Sequence, residues 1–195
     1  MGAVVLAVVA LIRIIGGSDT VSDADRAANA KPATSAGDFD SVCKDGSVSN
    51  AAAYSEPYKV IAFQQGFSAL SFDDDHISWS QVTLDRRPGI YDTDDPVTAI
   101  TVVACVTRQK GSEVRSGSCD FNSSGRKVTA EHYAVKWDVE LREAKTGKSI
   151  TTLEPVNGPA TDCPLFATFD PDHPKVYADP DTFALTEELR TFPRK

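Results

Sequence analysis

The sequence has no basic excess, no cysteine pair at metal-ligand spacing and no nucleophile elbow, and each absence removes a class of function. Twenty Lys and Arg against 28 Asp and Glu leave a formal charge of -8, which repels phosphate backbones and argues against a nucleic-acid partner. No C-x-x-C occurs, and no His follows a Cys pair at finger spacing, so the spacing excludes a compact zinc finger or a thioredoxin-like redox motif. Serines are plentiful, but no G-x-S-x-G is present to place one beside a base and an oxyanion hole. No pair of carboxylates stands out from the acidic background as a glycosidase dyad. Repeats at the 20- to 50-residue periods of solenoids are also missing.

What is present is a chain of 195 residues, 41% hydrophobic and 25% charged, enough for one globular domain with a tail to spare. Its first apolar run, VVLAVVALIRII (Val4 to Ile15), is broken by Arg13 and falls short of the ~20 residues that cross a bilayer core. A secretory signal of that length wants a basic n-region and a small-residue cleavage site, and Met1-Gly2 supplies no basic side chain. Residues 1–17 are therefore expected to act as a membrane anchor or signal-anchor helix, the inner part of a longer one. Arg13 snorkels from the helix end to the headgroups in that arrangement.

Residues 18–56 are rich in Ala, Ser and Asp and poor in large aliphatics. Such a composition does not offset its ordering entropy, and predicts a flexible tether with one short helix over Ser22 to Ala30. Residues 57–195 then form the extracytoplasmic domain. Thr98 to Gln109 reads as a central strand, with Ile100, Val102, Ala104 and Val106 on one face and Ala99, Val103 and Cys105 on the other. Lys127 to Arg142 alternates Tyr133, Val135, Trp137, Val139 and Leu141 with polar neighbours, the pattern of a half-buried strand. EAKTGK turns that strand into a return over Ser149 to Glu154, which Pro155 to Pro159 ends. Tyr58 to Phe63 and Phe67 to Phe72 are further strand candidates, and LFATF after Cys163 reads as a short strand or an extended segment. At the end of the chain Asp179 as N-cap, Pro180 at the first helical position, and Leu185, Leu189 and Phe192 at helical spacing predict an amphipathic helix. The expected fold class is α+β: an antiparallel sheet of about five or six strands with a helix across one face.

Four cysteines permit three pairings. If the strand after Lys110 to Glu113 returns antiparallel on Thr98 to Gln109, a reversal centred on Ser112 sets Cys105 directly opposite Cys119. Directly opposed residues lie close enough for a disulfide. That leaves Cys43 with Cys163 as a long-range clip. Disulfides presuppose an oxidising compartment, in agreement with the apolar N-terminus.

The succession ITVVACV, a cysteine within SCDF, then HYAVKWDVELREAKTGKSI, DCP and a closing ADPDTFALTEELRTF resembles uncharacterised membrane-anchored extracytoplasmic proteins of actinobacteria and other bacteria. The likeness covers roughly the second half of the chain, and the VELREAKTGK hairpin is its most specific piece. It implies an envelope-exposed domain and brings no activity, cofactor or catalytic residue with it.

Two acidic clusters carry a histidine: Asp73-Asp74-Asp75-His76, and Asp170-Pro171-Asp172-His173. Neither has the alternating acids, central Gly and distal Glu of a calcium loop, so they read as solvated turns. His132, by alternation, falls on the polar side of its strand and is expected to face solvent. Asn122-Ser123-Ser124 matches a glycosylation sequon and marks an exposed turn between strands. These observations predict a non-catalytic binding or accessory domain with no cofactor and no metal site, tethered to a membrane and recognising a protein or envelope partner. The sheet face left open by the terminal helix is the expected surface. An envelope complex subunit fits the same features. The alternative is an envelope hydrolase or metal-dependent enzyme using His76, His173 and neighbouring Asp residues.

Overall fold

A computed structural model describes residues 21–67, 77–123, 125–170 and 173–192. The apolar segment 1–17, His76, Pro171 and Asp172 lie outside them, as does most of the second strand candidate at Phe67 to Phe72. No helix among the described residues is long and apolar enough to cross a membrane.

Among the described residues, seven strands form one mixed sheet. They are β1 (Val60–Phe67), β2 (Ile77–Gln81), β3 (Val102–Arg108), β4 (Val114–Ser123), β5 (Arg126–Glu143), β6 (Ser149–Gly158) and β7 (Lys175–Tyr177). Two α-helices, α1 (Asp23–Ala28) and α2 (Thr182–Thr191), and a 3-10 helix at Ala36–Lys44 complete the described structure, with a short 3-10 turn at Val97–Ala99. The fold is α+β, as the periodicities predict, but the sheet is not purely antiparallel. β1 runs parallel to β3, and β7 runs parallel to β5.

β5 organises the sheet. Its 18 residues are long enough to serve two sets of neighbours: the stretch 126–134 pairs with β4 and the stretch 137–143 with β3. β7 and β6 add to the same two stretches. β3 and β4 both run antiparallel to β5 and hence in the same direction, so the segment 109–113 does not reverse the chain. Instead it follows β5: the Gln109 amide donates to the Lys136 carbonyl at 2.8 Å, and the Lys136 amide donates to Ser112 Oγ at 2.9 Å. The expected β3–β4 hairpin is therefore absent from the described residues. The β5–β6 hairpin is present over EAKTGK, although β6 runs on to Gly158 past Pro155. Proline is tolerated there because the β5–β6 register shifts between Leu153 and Val156.

The two faces of the sheet are covered by different parts of the chain. On one, Val102, Ala104 and Val106 of β3 join Val139 and Leu141 of β5 beneath Leu185 and Leu189 of α2 and its C-cap Phe192. The helix begins two residues later than its sequence suggests: Asp181 is the N-cap, and its Oδ1 accepts from the amides of Phe183 and Ala184 at 3.0 and 3.1 Å. On the other face, Ile61, Phe63, Val103 and Cys105 pack beneath Phe39, Val42 and Val48.

That second layer corrects the reading of residues 18–56 as a flexible tether. Phe39 and Val42 are fully buried, and two apolar side chains spaced three apart need only one short helix to reach a sheet. Asp38 fastens the helix start, its Oδ2 accepting from the amides of Thr34 and Ser35 at 2.7 and 2.8 Å. Those backbone hydrogen bonds hold its carboxyl below the usual carboxylate range. The Val48 amide donates to the Ala144 carbonyl at 3.0 Å, tying the segment to the β5–β6 turn. In that turn Gly147 has φ +69°, and a Cβ there would collide with the Gly46 carbonyl oxygen. Only glycine permits so close an approach. The short helix expected over Ser22 to Ala30 is α1, capped by Ser22 and with no residue buried.

The covering layer has a measurable energy. Phe39→Ala is expected to destabilise the domain by about 3–5 kcal/mol in denaturant unfolding, the cost of emptying a buried phenylalanine site. A loss below about 0.5 kcal/mol, the level of an ordinary surface change, would return the segment to tether status.

Candidate functional site

The four cysteines pair as Cys43–Cys105 and Cys119–Cys163, with Cα separations of 5.5 and 5.6 Å. All four are in disulfides, as expected, but the partners differ from the predicted Cys105–Cys119 and Cys43–Cys163. The reason is the parallel course of β3 and β4. Cys105 lies opposite Phe63 on β1 and Glu140 on β5, never opposite Cys119. Its side chain points into the layer formed by the 3-10 helix, where Cys43 meets it.

The second disulfide sits in a more varied setting. Cys119 on β4 opposes Ala130 on β5, and Gly117 on β4 opposes His132 on β5. Alternation puts residues 130 and 132 on one face and residues 117 and 119 on the same face, so Cys119 and His132 are diagonal neighbours. A register shift between Arg115 and Gly117 gives β4 its bulge there. After β6 the chain crosses this face and delivers Cys163. One ligand-type atom from each of Cys119, His132 and Cys163 lies within 4.8 Å of the others. Cys119 is 1% exposed and His132 5% exposed, whereas Cys163 is exposed. The burial of His132 corrects its expected solvent-facing position. β5 alternates as predicted, but the crossing segment covers the face that would otherwise be wet.

Next to this cluster lies an open cleft of about 340 Å³, lined by His132, Asp162, Pro164, Tyr177 and Asp179, with Asp181 and Thr182 at the start of α2. Its back wall is rigid. Trp137 Nε1 donates to the Ala178 carbonyl at 3.1 Å, and a Cβ on Gly158 would meet that carbonyl, the Asp179 carbonyl and the indole nitrogen within 2.8 Å. Gly158 is thus the residue that lets the chain after β7 lie against β6.

On the opposite face of β5, flanking His132 in sequence, Tyr133 donates its hydroxyl to Glu131 Oε2 at 2.7 Å, and Arg115 Nε stands 3.0 Å from Glu131 Oε1. The tyrosine hydroxyl, with Arg115 adding its charge, holds the Glu131 carboxyl below its ordinary value, and that carboxylate in turn raises the Tyr133 hydroxyl. Arg108 stacks its guanidinium 3.7 Å from the centroid of Tyr177. The Arg108 contact and the Tyr133–Tyr177 ring pair, with centroids 5.7 Å apart, hold β7 against β5.

Of the histidine clusters, His173 is exposed, with Nδ1 3.4 Å from Asp170 Oδ2, a solvated turn. The only group of three or more His, Cys, Asp or Glu ligand atoms converging among the described residues is Cys119, His132 and Cys163. Asn122 of the sequon is exposed at the end of β4.

No protein-family model matches the chain, and neither a curated protein nor a solved structure matches it at a significant level.

The segment between β6 and β7 is bonded to β4 by its disulfide. It forms no strand at LFATF, where a short strand or an extended segment was expected, and the two cysteines stand 44 residues apart. In the chain-entropy relation a loop of that size is worth about 4 kcal/mol. The Cys119→Ala, Cys163→Ala double variant is expected to lose that order of stability in denaturant unfolding, and a loss below about 1 kcal/mol would show the segment to be held by other contacts.

Proposed function

We propose that this protein is a non-catalytic, extracytoplasmic binding or accessory domain, carried at a membrane by its N-terminal apolar segment, whose partner-contacting surface is the loop that follows Cys163. The observation that carries this reading is the pair of side chains Leu165 and Phe166, each 91% exposed, on a loop bonded to the sheet by a disulfide. Large apolar side chains presented to water on a covalently fixed support are the makings of a binding contact. Phe183, 61% exposed at the start of α2, stands next to Thr182 of the cleft and extends the apolar ground.

The sheet face without α2, the contact surface expected from the sequence, is occupied by residues 33–51. An acidic chain of charge -8 favours a protein or envelope component over nucleic acid. Two disulfides favour an oxidising compartment, which agrees with export. Membership of a larger envelope complex is the form of this reading in which the partner is stoichiometric.

Purification of the full chain from membranes in mild detergent is expected to retain a partner. Replacing Leu165 and Phe166 together by Ser should release it by tenfold or more, about 1.4 kcal/mol, without changing the unfolding midpoint. Retention of the partner by that variant, or a wild-type chain that purifies alone and is released by carbonate in soluble form, would contradict the reading.

A further inference from the structure

The cluster at the second disulfide has more chemistry than a cross-link requires. His132 is buried, at 5% exposure. Its ring nitrogen shares a space of 4.8 Å with both sulfurs, and the same ring lines the cleft of about 340 Å³. Opened, the disulfide would present two thiols and an imidazole to one point.

We infer that Cys119, Cys163 and His132 form a redox-gated zinc site, closed to metal while the disulfide stands and able to take one Zn²⁺ when a dithiol reduces it. In the opening step the dithiol transfers two protons and one electron pair to the two sulfurs. The Cys119–Cys163 bond breaks, both cysteines become thiols, and the dithiol closes to its own disulfide. Zn²⁺ then displaces one proton from each thiol as two Zn–S bonds form, and a nitrogen of His132 donates the third bond. Water from the cleft completes a tetrahedron.

Three considerations select zinc. Thiolate sulfur disfavours magnesium, calcium and manganese, which prefer oxygen. Two thiolates cancel a charge of two, so the buried complex is neutral, whereas a monovalent copper ion would leave a net negative charge beside the buried Cys119. Three protein ligands facing an open cleft match the zinc arrangement that keeps one position for solvent. The inference goes beyond the binding function proposed above and does not depend on it, since it concerns the purified chain whatever its location or partner.

The test uses the full chain in mild detergent, oxidised or reduced with a phosphine, then freed of reductant and titrated with zinc against a chromogenic chelator. The reduced chain is expected to take up one zinc and the oxidised chain none. Zinc should slow alkylation of Cys119 and Cys163 in the reduced protein while leaving Cys43 and Cys105 as reactive as before, as read by peptide mapping. His132→Gln should weaken zinc binding by more than ~10-fold, the least that loss of even an outer-shell partner costs, and should still re-form the Cys119–Cys163 bond on oxidation. The inference is overturned by equal uptake in the oxidised chain, by protection of Cys43 and Cys105 instead, by an unchanged affinity in the His132 variant, or by copper(I) binding where zinc does not. Should that variant misfold, the wild-type alkylation pattern decides alone. A reduced chain that unfolds and is not restored by zinc also overturns it.

Discussion

Everything in the fold depends on β5 being long enough to be shared. An 18-residue strand pairs with β4 and β7 along its first half and with β3 and β6 along its second. Because β3 and β4 take successive stretches of the same strand, they cannot face each other, and the cysteines they carry must find partners elsewhere. Cys105 is met from outside the sheet by the 3-10 helix, and Cys119 by the segment between β6 and β7. Each disulfide therefore fastens a segment that has little regular structure of its own to a strand that has much. Packing and covalent chemistry divide the work: the strands supply the apolar faces, and the sulfurs hold what the strands do not reach.

This division also explains how two segments of unpromising composition come to be ordered. Residues 33–51 contribute few large apolar side chains, yet Phe39, Val42 and Val48 all land on the face of β1 and β3 opposite α2. Arg142 strengthens the attachment, its Nη1 donating to Asp45 Oδ1 at 2.8 Å and to the Val42 carbonyl at 3.2 Å. Burial alone would lower the pKa of that guanidinium, but the hydrogen bonds it donates to the Glu140 and Asp45 carboxylates outweigh burial and raise it. The loop after Cys163 is anchored more lightly, by Phe169, whose ring centroid lies 5.3 Å from that of Phe121 on β4. It turns Leu165 and Phe166 outward, and the disulfide, the cleft and the exposed pair lie within a few residues of one another.

The parts of this arrangement that rest on local periodicity are legible in the sequence. The alternation of Val102 through Val106, the β5–β6 hairpin over EAKTGK and the Leu185, Leu189, Phe192 stripe of α2 all follow from side-chain spacing. What depends on which strand lies beside which does not. Cys105 and Cys119 are placed for a hairpin by spacing alone, and only the parallel course of β3 and β4 removes it. β7 hides in DPDHPKVYADPD, where Pro and Asp mask a three-residue strand that exists because β5 offers it an edge. His132 is placed on the wet side by a correct alternation, and is buried by a segment 30 residues further on. For the same reason no cysteine spacing announces the Cys119, His132 and Cys163 cluster: its members come from β4, β5 and a loop, and only the tertiary fold brings them together.

The most direct measurement is the disulfide map of the freshly isolated chain, digested without reduction at acid pH and read by mass spectrometry. The shared-strand architecture predicts peptides linking Cys43 to Cys105 and Cys119 to Cys163. A peptide linking Cys105 to Cys119 would mean that β3 and β4 do form a hairpin, and would contradict the sheet on which the account rests.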